Sequence, residues 1–78
     1  MSRMRVPLST LHPGMRAVIA ALPADQDVAD ELASLRILPG EEVEVVQRLP
    51  FGGPLLVRGA GGLYALGRGL ADQLGVEL

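Results

Sequence analysis

Apolar residues along this chain fall into short blocks separated by proline and glycine, and the spacing inside each block differs. Leu8 and Leu11 lie three apart and are followed by Pro13 and Gly14. That predicts one short helical or 3₁₀ turn, stopped by the proline and reversed by the glycine. Arg16 to Leu22 is an apolar run with β-branched Val18 and Ile19, the pattern of a strand buried on both faces. Pro23 ends it. Asp25 and Asp27 are N-cap residues for a helix running to about Ser34 or Leu35, whose Val28, Leu32 and Leu35 share one face. Asp27, Asp30 and Glu31 sit in its first turns, where the helix dipole favours acidic side chains.

The second half reads differently. Glu42 to Leu49 alternates, with Val43, Val45 and Leu49 on one face and Glu42, Glu44 and Arg48 on the other, which predicts a half-exposed strand. Pro50 to Pro54 forms a turn, Leu55 to Arg58 a strand, Gly59 to Gly62 a second turn and Leu63 to Leu66 a further strand. Short loops between consecutive strands indicate an antiparallel meander. Arg68 to Leu74 holds one or two helical turns, Gly75 breaks it, and Val76 to Leu78 is a closing strand. The fold class is therefore mainly β: a small SH3-like antiparallel barrel of about five strands with one or two short helices, closure being the usual way to remove sheet edges. No polar linker divides residues 1–78, which read as a single domain.

Composition narrows the chemistry. The chain has 78 residues, 49% hydrophobic and 21% charged, with no cysteine, no tryptophan and one histidine. Thiolate catalysis, disulfides and cysteine-based metal sites are excluded. All seven basic residues are arginine, so Schiff-base and P-loop chemistry are excluded too. The arginines are scattered, the net charge is −2, and no basic footprint for nucleic acid exists. Gly59 and Gly61 begin a G-x-G pattern, but Tyr64 stands where a dinucleotide fingerprint needs glycine. The basic start around Arg3 and Arg5 precedes no apolar stretch of signal-peptide length, and the run Ala17 to Leu22 falls far short of the ~20 residues of a membrane span. A cytoplasmic protein without membrane insertion is expected. Hydroxyls, carboxylates and His12 assemble no nucleophile–base pair, and catalysis is not expected.

Four side chains are candidate contact or ligand residues. Phe51, an aromatic at a hairpin tip, has little core to enter and fits a partner-binding role. Arg36, after the helix, and Arg68, after the last meander strand, are candidate contacts for an acidic partner. His12 is the candidate metal ligand, with carboxylates from a neighbouring chain needed to complete a site. No cofactor is expected. Pairing of two copies through a short exposed strand is open.

The order of elements resembles one family. Leu8-Ser9-x-Leu11-x-x-Gly14, the strand through Val18 and Ile19, a helix, and Leu38-Pro39-Gly40-Glu41-x-Val43-x-Val45 are followed by Pro50-Phe51-Gly52-Gly53-Pro54-Leu55, Leu63-Tyr64-Ala65-Leu66 and Leu74-Gly75-Val76. From about residue 7 to 78 this is similar to the FeoA family of small ferrous iron transport proteins. The resemblance implies an SH3-like barrel that supports the membrane transporter FeoB, a protein with a cytosolic GTP-binding domain. The same fold is similar to the C-terminal domain of iron-dependent repressors, which gives an alternative: a regulatory module of a metal-dependent repressor. The family commonly has an Arg-Leu pair late in the helix, where this chain has Glu31-Leu32, and Leu-Gly where it has Leu35-Arg36. It often shows Leu-Arg where this chain has Leu66-Gly67-Arg68.

Overall fold

The computed structural model describes residues 4–78; Arg3, read above with the basic start, lies outside them. The described residues form strands β1 (Arg5–Pro7), β2 (Arg16–Ala21), β3 (Glu42–Arg48), β4 (Leu55–Gly59), β5 (Gly62–Leu66) and β6 (Gly75–Glu77). A 3₁₀ turn spans Leu8–Thr10, and helices α1 and α2 span Gln26–Ser34 and Arg68–Gln73. All strands pair antiparallel in one sheet, in the order β1-β6-β2-β3-β4-β5. The last strand thus inserts between the first two. The fold is mainly β and SH3-like, with six strands where five are predicted. Among the described residues no ladder joins β1 to β5, so the barrel's hydrogen bonding stays open there.

The core lies on the concave face. Ala17 and Ile19 of β2, Val43 and Val45 of β3, and Leu55 and Val57 of β4 point into it, alternating with outward residues. β2 is therefore not buried on both faces as its apolar run predicts. Arg16 is exposed and Val18 and Ala20 are half-buried, because a single curled antiparallel sheet has only one covered side. Leu8, Leu11 and Leu74 close one end, with the Leu8 N–H donating to the Leu74 carbonyl at 2.8 Å.

β3 departs from its predicted alternation at one point. Val45 opposes Val57, but the next matched pairs are Gln47 with Leu56 and Arg48 with Leu55. One residue more on β3 than on β4 is the signature of a β-bulge, which exchanges the faces of everything beyond it. Arg48 is thereby carried from the outer face to the side of the buried Leu55, and its Nη1 donates to the carbonyls of Ser9 and Leu11.

Helix α1 follows its sequence signals. The Asp25 carboxylate accepts from the N–H groups of Asp27 (2.9 Å) and Val28 (3.2 Å), the N-cap expected of it. At the other end the Ile37 N–H donates to the Leu32 carbonyl and the Arg36 N–H to the Ala33 carbonyl, both at 2.9 Å. Those two bonds define a Schellman cap, and both Leu32 and Ile37 are buried in the core. The cap needs a left-handed residue, usually glycine, and here Arg36 takes it at φ 65°. Replacing Arg36 with Gly should therefore stabilise the fold by about 0.5–1 kcal/mol, raising Tm by about 2–8 °C. An unchanged or lower Tm by calorimetry would refute this account of the cap.

Candidate docking site

The connection from β3 to β4 closes in two steps. Leu49 N–H donates to the Pro54 carbonyl and Gly53 N–H to the Pro50 carbonyl, each at 3.1 Å. Between the inner pair stand Phe51 at φ 58° and Gly52 at φ 70°. Two successive positive φ values belong to a type I′ turn, which matches the twist of the flanking strands and favours Asn, Asp or Gly at its first central position. A phenylalanine there costs about 1–3 kcal/mol of backbone strain. Its ring is fully exposed, so no burial offsets that cost.

Arg68 reaches the same turn from α2. Its Nη2 donates to the Gly53 carbonyl at 3.2 Å, and its Nε is buried without a hydrogen-bond partner. The side chain that the sequence offers as a free contact is half-buried and engaged inward. Phe51 and Arg68 thus come together, through Gly53. Arg36 does not join them. Its turn of chain lies by the β4–β5 connection, where Gly61 packs against the Leu35 carbonyl, at the opposite end of β4 from Phe51. The Arg36 side chain is exposed and, among the described residues, makes no hydrogen bond or ion pair.

His12 is an exposed residue of the turn before β2, and its backbone N–H donates to Met15 Sδ at 3.2 Å. Among the described residues no three His, Asp or Glu side chains are grouped to hold a metal ion. The Glu41–Glu44 carboxylates line a shallow cleft on the outer sheet face with Arg16 and Arg58, where Arg58 and Glu44 are 3.7 Å apart. Two features escape a reading of the sequence: the left-handed backbone of Phe51 and Arg36, and the inward roles of Arg48 and Arg68. The first had a signal, since Pro50-Phe51-Gly52-Gly53 places an aromatic where a tight turn prefers a small polar residue.

A family model described as the FeoA domain matches residues 6–78. The chain belongs to the FeoA family. That family serves ferrous iron transport as an accessory domain. A crystal structure of an iron uptake regulatory protein (FeoA) is 30% identical with a TM-score of 0.85, covering 95% of this chain and 97% of that one. The solution structure of FeoA from Chlorobium tepidum is 29% identical with a TM-score of 0.87, covering 94% of this chain and 70% of that one. A manganese-dependent transcriptional repressor superimposes with a TM-score of 0.87 at 23% identity, over 99% of this chain and 43% of the repressor. That last likeness is one of fold. No curated protein sequence matches the chain. No helix among the described residues of this FeoA-family chain is long and apolar enough to cross a membrane.

Proposed function

We propose that this FeoA-family chain is a cytoplasmic, single-domain, non-enzymatic accessory protein of ferrous iron uptake that docks to the cytosolic side of a FeoB-type transporter, with Phe51 as its anchor. One observation carries the docking site: a fully exposed phenyl ring held on a left-handed backbone at a turn tip. Such a residue weakens the fold, so its presence at this tip fits a role outside the fold. Strain of this kind clusters where binding surfaces are pre-shaped.

Ferrous iron uptake tests the pathway. Cells lacking the coding region should take up less iron, and restoring it should restore uptake; normal uptake with the transporter in use would move the function to the regulatory module of a metal-dependent repressor. Phe51→Asn tests the anchor. Asn suits the turn, so Tm should hold or rise, while affinity for the solubilised transporter should fall about 30-fold, the ~2 kcal/mol of a central aromatic. Undiminished binding by a folded Phe51→Asn protein would remove Phe51 from the interface.

A further inference from the structure

We propose that Arg68 is a positioning residue, which holds the Phe51 turn in its docking conformation by gripping the Gly53 carbonyl; this rests on the reading of Phe51 as an anchor. The turn needs such a hold. Its tip combines a left-handed Phe51 with Gly52 and Gly53, so many backbone states compete with the observed one. A residue kept off its preferred backbone persists only where its surroundings over-determine it. The inner closing bond, Gly53 N–H to Pro50 carbonyl, fixes one side of Gly53. Arg68 fixes the other, donating from Nη2 to the Gly53 carbonyl. Among the described residues no other side chain hydrogen-bonds to residues 49–54.

The foot of this strut is rigid. Arg68 opens α2, whose Ala71 is fully buried and which is followed by the equally buried Leu74. Leu74 is in turn bonded through its carbonyl to Leu8. The strut therefore ties the exposed tip to the core. Its geometry also argues against a direct contact with a partner. The Nε is buried and unpaired, and Nη2 is turned inward to the turn. An unpaired buried donor is disfavoured in native structures. Here it accompanies the Nη2 placed for the Gly53 bond.

The chain has a single phenylalanine, so 4-fluorophenylalanine labelling gives one fluorine resonance that reports Phe51 alone. Arg68→Met keeps the apolar stem and removes the donors. It should broaden or shift that resonance toward the unfolded position, with Arg68→Lys between the two because an ammonium still donates but lacks the planar fork. Affinity for the solubilised FeoB-type transporter should fall about 5-fold in Arg68→Met, the scale of ordering a loop on binding. In the Phe51→Asn background the same change should have no further effect. An unaltered resonance in folded Arg68→Met overturns the proposal, and so do losses that multiply across the two sites, which would make Arg68 a direct contact. If Phe51→Asn binds normally, the docking reading fails instead, and the fluorine resonance still decides whether Arg68 holds the turn.

Discussion

Leu8→Ala should destabilise the protein by about 3 kcal/mol, within the 2–5 kcal/mol span of buried leucine truncations. Leu8 has no exposed surface and sits where three parts of the chain meet: the 3₁₀ turn, α2 and the buried Leu74. Truncation leaves a void that the backbone cannot collapse to fill, because the Leu8 N–H is tied to the Leu74 carbonyl at 2.8 Å and the Leu11 N–H to the Leu8 carbonyl at 3.1 Å. A chain of 78 residues has total stability of roughly 4–12 kcal/mol, so this one change removes a large share of it. Tm should drop by about 12–24 °C. Leu8→Met, which conserves volume, should cost under about 1.5 kcal/mol. Chemical denaturation of the three proteins checks both values. A loss below about 1 kcal/mol for Leu8→Ala would mean that this end of the core is loosely packed.

What the sequence displays follows the distance over which its information acts. Helix α1 is legible because Asp25, Val28 and Leu32 interact within two turns, and it appears with the expected cap and buried face. The meander β3–β4–β5 is legible for the same reason, its turns being marked by Pro50 to Pro54 and Gly59 to Gly62. β1 is not legible. Arg5 pairs with Glu77 and Pro7 with Gly75, three-residue strands joined by contacts that span nearly the whole chain. The Arg5–Glu77 ion pair at 3.1 Å adds to a match that no local pattern signals. Gly75 stands just past the end of α2, as its local signal predicts, and it also opens β6, where a Cβ would stand 3.3 Å from that of Ala21. Its glycine admits a neighbouring strand. At the candidate site the same division holds. The position of Phe51 at a tip is local information, whereas the direction of Arg68 depends on where α2 docks.

Arg48→Met should cost about 2–3 kcal/mol, nearly as much as the core truncation, although the alternation of β3 assigns Arg48 to solvent. The bulge makes the difference: with Arg48 opposite Leu55, its guanidinium meets the carbonyls of Ser9, a buried residue, and of Leu11 at 2.9 Å. Both carbonyls belong to the turn that follows β1, so the two bonds hold that turn against the end of β3. Hydrogen bonds from a charged donor contribute about 1.5–3 kcal/mol each, reduced here because Arg48 is only half-buried and water reaches the site. Met retains the packing of the stem, so its deficit measures the donors alone. Lys supplies a compact charge without the planar fork and should recover less than half of the loss. Gln47→Ala, one residue earlier on the outer side, should stay within about 0.5 kcal/mol of the parent. Amide exchange gives a second reading: Arg48→Met should speed exchange at residues 8 to 15 more than in β4 and β5. Equal stabilities for Arg48→Met and Gln47→Ala would return Arg48 to the outer face and remove the bulge from the account of how the 3₁₀ turn is held to the sheet.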